Sequence, residues 1–377
     1  MNEWLHDACR RTGQKEMLIR FEKGVEEALL QELRQIDWRL LSQQRAAIDA
    51  PKQKKRYEPL ERSMVLSAVD SCSLLSQRTI GCLIMAGGIG SRLGISEPKG
   101  VMLLPCGKSL LQIFLEKAQA FQKRYQSQVF IGIMTSSYTD AAIKRHLEER
   151  NFFGFNPKRV RCFQQDSLPF LDENGQLVLV ENHVATGPDG NGRVFSACMK
   201  SGVLDLWKGV EAISVIPIDN PLLDPFYPEM LSPIFEGKEM SIAAVRRRDG
   251  EEEVGVFVRR GSRIEVVEYS EDGLLYDYQR FPWANISYFV VSPAFVRRAN
   301  THELPLHMAH KQFRGEWIWK TEYFIFDHLP FARSFVLVPM DRDRYFAPIK
   351  RATGKDSILS SDQAVRRVAE ESEANFL

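Results

Sequence analysis

Residues Leu83 to Gly100 read LIMAGGIGSRLGISEPKG. A short apolar run passes here into a loop carrying five glycines, Gly87, Gly88, Gly90, Gly94 and Gly100, and two cations, Arg92 and Lys99. Glycines permit positive φ and let backbone N–H groups approach an anion with no Cβ in the way. Arg92 and Lys99 add full charges to those partial ones, so the loop suits phosphate. Packing alone can produce a glycine-rich turn between strand and helix, but it gives no reason for both cations. Two familiar phosphate motifs fail on spacing. Gly94 comes one residue too late after Gly88-Ile89-Gly90 for a dinucleotide fingerprint, and residues 105–112 supply no acidic partner. Gly107-Lys108-Ser109 ends like a P-loop, but Met102 stands where the first glycine belongs.

Outward from this loop the chain alternates short apolar runs with amphipathic stretches. GCLIMA is followed by a helical pattern after Ser109, then VFIGIM, then a second helical pattern after Thr139. Ser109 and Thr139 are both suited to cap those helices through their hydroxyls. Strand, helix, strand, helix predicts an α/β fold with a parallel sheet and right-handed crossovers. Further strands are expected at 160–163, 212–218 and 240–245, a hairpin about Gly261, a second hairpin at Asn174-Gly175, and a closing helix over 361–374. Ligands of such sheets sit at the carboxyl ends of the strands. That rim would hold the Gly-rich loop, Thr135 with Ser136, and Asp219.

Before residue 79, residues 21–47 read as one helix with Val25, Leu29, Leu33, Ile36 and Leu40 along a docking face. The basic PKQKKRYEP that follows reads as a linker or extended crossing with solvated lysines. Residues 1–78 are therefore expected as an N-terminal helical segment, 79–345 as the catalytic domain and 346–377 as a short C-terminal region.

With 50 Lys plus Arg against 49 Asp plus Glu, the net charge is +1, and no global attraction to nucleic acid follows. Six scattered cysteines without C-x-x-C spacing suit a reduced, cytoplasmic protein and no metal-thiolate site. No secretory signal and no apolar run of membrane-spanning length is present in the sequence, so no membrane partner is expected. The histidines show no metal spacing beyond His307 and His310, one helical turn apart.

The glycine loop resembles the signature G-G-x-G-[TS]-R-L-G-x-x-x-P-K-G of eukaryotic-type UDP-sugar pyrophosphorylases, the UDP-N-acetylglucosamine pyrophosphorylases in particular. Further blocks recur in that family's order across about residues 79 to 351, among them MTSSYTDAAIKRHLEERNFFGF, FQQDSLP, GPDGNGRVFSA, PIDNPLLDP, ANISYF, LPLHMAHK, TEYFIFD and FAPIK. The resemblance implies a Rossmann-like nucleotidyltransferase core with a mixed, mainly parallel sheet. It implies magnesium-dependent, reversible uridylyl transfer, in which UTP and a sugar 1-phosphate give a UDP-sugar and pyrophosphate. N-acetylglucosamine 1-phosphate is the expected sugar; glucose or galactose 1-phosphate, or a catalytically idle nucleotide-sugar binder, are the alternatives. In-line attack on phosphorus needs positioning and charge neutralisation more than a covalent nucleophile.

By the same resemblance, Arg92, Lys99, Lys320 and Lys350 are the expected phosphate-neutralising catalytic cations and Asp219 the magnesium ligand. Ala86, Gly87 and Gly88 are expected against substrate, Gln165 and Gly190 at uracil and Asn191 on the sugar side. Gly255, Glu268 and Asn285 are expected at the hexose, with Phe324 and Phe326 near its N-acetyl group. Read alone, Asp219 before Asn220-Pro221 closes a turn, GPDGNG is a turn, Glu268 is an outward strand residue, the phenylalanines are core, and the lysines are solvated. This chain departs from the family at Arg193, where glycine is common, and at ANISYF, where G-N-I-x-N-H-F is usual, so Ala284, Ser287, Tyr288 and Phe289 are expected to alter the sugar rim. It also ends soon after Lys350, where the family continues. A monomer or homodimer is expected.

Overall fold

The computed structural model describes residues 3–50, 56–60, 72–88, 90, 93–94, 97–269 and 277–374. The chain divides into two compact units. The larger comprises Lys55–Gln165, Val194–Glu303 and Ile325–Leu377; the smaller comprises Met1–Lys54, Asp166–Arg193 and Leu304–Phe324.

The larger unit is built on a nine-stranded sheet. The strand Thr79–Met85 lies at its centre, parallel to Gln128–Thr135 on one side and to Ala212–Pro217 on the other. Val160–Gln164 extends the parallel set at one edge. The central strand is buried on both faces from Ile80 onward, which is why it reads as a continuous apolar run. Beyond Ala212–Pro217 the direction reverses. Trp283–Val291 runs antiparallel both to that strand and to Met240–Arg246, which in turn pairs parallel with Phe335–Pro339. The expected hairpin is Val256–Arg260 with Arg263–Val267, turning at Gly261 with φ +61°. The sheet is therefore mixed and mainly parallel at its centre. Leu110–Tyr125 supplies Leu111, Phe114, Leu115, Ala118 and Phe121 to the core on one face.

Ser109 caps the Leu110–Tyr125 helix as expected, accepting from Gln112 N at 3.2 Å. Thr139 does not cap Asp140–Glu149 in that way. Its Oγ1 instead accepts from Ser136 N at 2.9 Å, because the chain turns sharply out of the preceding strand and that amide is otherwise unmet. Residue 58 crosses beside the hairpin, with Glu58 and Arg259 exchanging backbone hydrogen bonds of 2.9 and 2.7 Å. The lysines before it lie outside the described residues. The closing helix runs Ile358–Ala374.

In the smaller unit, the single helix expected over 21–47 is three pieces: Lys15–Lys23 reaches into it, followed by Glu27–Gln35 and Trp38–Asp49. Gly24 at φ +95° breaks the first junction. At the second, Ile36 is extended and Asp37 starts a new helix by accepting from Leu40 N at 3.0 Å. The apolar stripe still turns inward: Leu29 and Leu33 are wholly buried with Leu5, Met17, Phe21 and Leu41. Leu171 and Leu177 join that cluster from the Asn174-Gly175 turn, which pairs Leu171 with Leu177 around Gly175 at φ +71°. The antiparallel pair His307–Phe313 and Glu316–Glu322 belongs to this unit as well.

Candidate active site

The parallel register brings three strand ends into line in the larger unit. Met85 pairs with Met134 and with Pro217, so the loops after all three strands leave the same edge. Ala86 continues the sheet by donating to Met134 O at 2.8 Å. Gly87 is buried, and its carbonyl accepts from Ser136 Oγ at 2.8 Å. A Cβ at Gly87 would overlap the Gln165 amide, so any other residue there requires the Gln165 side chain to move. Gly88 is exposed, with nothing near its Cβ position. Gln165 is buried, and its Oε1 meets no hydrogen-bond donor among the described residues. Arg92 lies outside the described residues.

Lys99 and Asp219 meet at the same edge. Lys99 Nζ donates to Asp219 Oδ2 and to Ile349 O, each at 2.9 Å. The Asp219 carbonyl accepts from Ile349 N at 2.8 Å. Their side chains are 16% and 28% exposed, enough to be reached by a ligand and low enough to be shielded from bulk water. Asp219 Oδ1 accepts no hydrogen bond from the described residues. A lone carboxylate oxygen of this kind fits magnesium, which takes one or two carboxylates and completes its shell with phosphate oxygens and water. No group of three or more His, Cys, Asp or Glu among the described residues could hold a metal by itself. Lys350 follows directly, its Nζ donating to Glu253 O at 2.6 Å.

Gly255, Glu268 and Asn285 come together from three strands or strand ends. Asn285 N donates to Gly255 O at 2.8 Å, and a Cβ at Gly255 would stand 2.9 Å from Glu268 Oε1. Asn285 is 6% exposed; its Oδ1 accepts from Ser287 N at 3.0 Å, while Nδ2 donates to none of the described residues. Phe326 is buried in the turn of helix Ile325–Phe331.

The expectation for the neighbouring rim needs correction. Ala284, Tyr288 and Phe289 are core residues, each no more than 1% exposed, and Ser287 alone of the four reaches the surface. The strand lies inside the sheet, paired on both edges, with Ala284, Ile286, Tyr288 and Val290 in one core cluster and Phe289 buried as well; it also carries a bulge. Asn285 pairs with Ala244 and Phe289 with Ile242, so four steps on this strand run against two on its partner, with Ser287 at φ +56°. Burial pushes the Tyr288 phenol well above its usual 10.

In the smaller unit, Gly190 at φ +102° presses against residue 323 so closely that a Cβ would collide with the Tyr323 carbonyl. Gly192 N donates to Tyr323 O at 2.9 Å, Tyr323 N donates to Asp189 O at 2.8 Å, and Asn191 lies between. Arg193 places its guanidinium carbon 3.7 Å from the centroid of the Tyr323 ring. Lys320 Nζ pairs with Glu322 Oε1 at 2.6 Å, and Phe324 is half-buried with His307 against its ring at 4.4 Å.

A family profile described as UTP–glucose-1-phosphate uridylyltransferase matches residues 20–360. The chain belongs to this family. Among relatives of this uridylyltransferase family member, the UDP-N-acetylglucosamine diphosphorylase 1 of Arabidopsis thaliana is 32% identical over 314 residues, 74% of this chain and 61% of the relative. The UDP-N-acetylglucosamine pyrophosphorylase of Saccharomyces cerevisiae is 30% identical over 315 residues, 73% of this chain and 65% of the relative. The chain thus spans about three fifths of the length of the Arabidopsis relative. The crystal structure of the uridine diphosphate N-acetylglucosamine pyrophosphorylase from Trypanosoma brucei in complex with inhibitor has the same fold, with a TM-score of 0.76 at 24% identity, covering 96% of this chain and 84% of that one.

Two residues that brace the edge at Asp219 carried no distinct signal in the sequence. Lys117 reads as one more charge on an amphipathic helix, yet its Nζ donates to Pro221 O and Leu223 O, both at 2.7 Å, fastening the loop behind Asp219. Burial pulls its ammonium down to about 8. Asn220 reads as a turn former, but it is wholly buried with both ends of its amide engaged.

Proposed function

We propose that this chain transfers uridylyl groups between UTP and a sugar 1-phosphate, with N-acetylglucosamine 1-phosphate as the preferred sugar, releasing pyrophosphate reversibly. The reading is carried by the Lys99 ammonium fixed between Asp219 and Ile349, its side chain packed against Gly90 of the glycine loop. An anionic oxygen of the sugar phosphate attacks the α-phosphorus of UTP, its P–O bond forming as the bond to the β-phosphate oxygen breaks and pyrophosphate leaves. The attacking oxygen is already deprotonated, so no general base is required. The task left to the protein is alignment and neutralisation of the charge on the phosphates.

Lys99 and Lys350, with Arg92 and Lys320, are assigned to that neutralisation. Asp219 would hold magnesium, which when bound supplies further positive charge to phosphate oxygens. Ala86, Gly87 and Gly88 present the loop backbone to the nucleotide. The unmet Gln165 Oε1 suits an imide N–H of uracil, and the Gly190-Asn191 turn offers backbone groups to the nucleoside. The available Asn285 Nδ2, beside Gly255 and Glu268, suits a sugar hydroxyl or amide carbonyl, and Phe324 and Phe326 suit its methyl group. Work in the cytosol on soluble substrates is consistent with the described residues, among which no helix is long and apolar enough to cross a membrane.

The test is pyrophosphate release from UTP with magnesium and a panel of N-acetylglucosamine, N-acetylgalactosamine, glucose and galactose 1-phosphates. Turnover highest with N-acetylglucosamine 1-phosphate is expected. No release with any of the four overturns the activity, and a preference for glucose 1-phosphate overturns the sugar assignment.

A further inference from the structure

The segment carrying Ile349 and Lys350 is not a strand of the sheet, yet it lies in register with the loop at Asp219. Three hydrogen bonds set that register. Asn220 Nδ2 donates to Tyr345 O at 2.8 Å, Asn220 Oδ1 accepts from Ala347 N at 3.0 Å, and Ile349 N donates to the Asp219 carbonyl at 2.8 Å. These bonds fall at residues 345, 347 and 349, the alternation by which a strand partner is read. One side chain thus supplies two of the three ties, standing in for a neighbouring backbone. At their end, the Ile349 carbonyl meets Lys99 Nζ, and the next residue is Lys350, whose ammonium is tied to Glu253 O.

We propose that Asn220 is the positioning residue of this site: by fixing residues 345–349 it sets Ile349 and Lys350 against Lys99 and Asp219. The inference rests on the uridylyl-transfer reading. The chemistry demands a carboxamide. A serine hydroxyl is too short to span a carbonyl and an amide two residues apart. An aspartate of the same shape accepts from Ala347 N but cannot donate to Tyr345 O, and its charge would face that carbonyl while wholly buried. Asn220 itself reaches neither Lys99 nor the Asp219 carboxylate through a hydrogen bond, so it acts through the segment it holds.

The experiment has two arms on the full chain, each using Asn220→Asp with Asn220→Ser as the milder change should the first not fold. In the first arm, deuterium uptake at the 347 and 349 amides is followed without nucleotide. Uptake at both is expected to quicken at least about ten-fold, with the strand amides of Thr79–Met85 unchanged. In the second arm, turnover is measured for the Asn220 variant, for Lys350→Ala and for the pair. The Asn220 variant is expected to lower kcat by on the order of ten- to a hundred-fold, with the KM for UTP moving less than about three-fold. The double variant is expected to lose no more than the worse single one, because both remove the same cation from its place. Unchanged uptake at 347 and 349, or losses that multiply, overturns the proposal. A wild-type chain inactive on the whole sugar panel overturns the uridylyl-transfer reading instead, and the exchange arm still decides whether Asn220 holds the segment.

Discussion

The Lys99–Asp219 cluster and the Gly190–Gly192 turn use opposite means. The first is charged, partly exposed and built from side chains, with an ammonium held by a carboxylate and a carbonyl. The second is built from missing side chains: Gly190 at positive φ and Gly192 both lie where a Cβ would strike the backbone of residues 323 and 324. A side-chain site of the first kind costs stability to assemble and can be dismantled without unfolding the protein. A packed turn of the second kind cannot be altered without first disturbing the fold. Substitutions in the two regions should therefore separate activity from stability in opposite senses.

The largest effect is expected at Lys99. Lys99→Ala removes a preorganised charge from developing charge on the phosphates and should lower kcat by on the order of 10²–10³-fold. The pair it breaks is partly exposed, so thermal stability should move by less than about 1 kcal/mol. Pyrophosphate release and a denaturant titration, run together, check both halves. A loss of stability large enough to explain the lost activity would erase the contrast between the two regions.

Gly190→Ala should reverse that pattern. Positive φ and a collision with the Tyr323 carbonyl together should cost about 2–4 kcal/mol of stability, read as a fall in the denaturant midpoint. Turnover per folded molecule should fall less than in Lys99→Ala. Full stability in this variant would show that the turn can relax, and that its glycines serve the ligand and not the fold.

Which parts of this could be read in advance depended on how local the cause was. The shared rim of the glycine loop and Asp219 was legible because each follows directly on a short apolar strand. The helix over 21–47 was overread, since periodicity records which side faces inward and is blind to a single glycine at φ +95°. The rim at 284–289 was misread because the strand is enclosed within the sheet, with Ala284, Ile286, Tyr288 and Val290 all turned to one core and Phe289 buried as well, and nothing in ANISYF announces that cover. The union of the first fifty-four residues with 166–193 and 304–324 had no signal at all. Packing between segments so far apart in sequence leaves no local pattern. Lys117 and Asn220 were passed over for a related reason: their partners are backbone groups about a hundred residues away.

Lys117 extends the comparison to pH. Its folded-state value of about 8 lies below the ordinary 10.5, because burial disfavours the ammonium. Between those values the unfolded chain holds a proton that the folded chain has released, so this group makes stability rise with pH from about 8 to 10.5. Lys117→Met should remove that rise. Denaturant midpoints of the two proteins at pH 7, 9 and 10 check it, and parallel curves would mean that Lys117 keeps its proton when folded.

The smallest effect is expected at Arg193, and it bears most directly on what a packed turn tolerates. Its guanidinium covers the Tyr323 ring at 3.7 Å, and Tyr323 is the residue against which Gly190 is pressed, with Gly192 against Phe324 next to it. Arg193→Ala removes a cation–π contact next to a buried ring, a change of about 0.5–2 kcal/mol. Arg193→Lys keeps the charge but not the flat face that stacks, so it should recover only part of that loss. If Arg193 only steadies the turn, both variants should lower the denaturant midpoint while the ratio of turnover between N-acetylglucosamine and glucose 1-phosphates stays constant. A shift in that ratio without loss of stability would assign Arg193 to substrate choice, and would make the glycine turn a charged site like its counterpart.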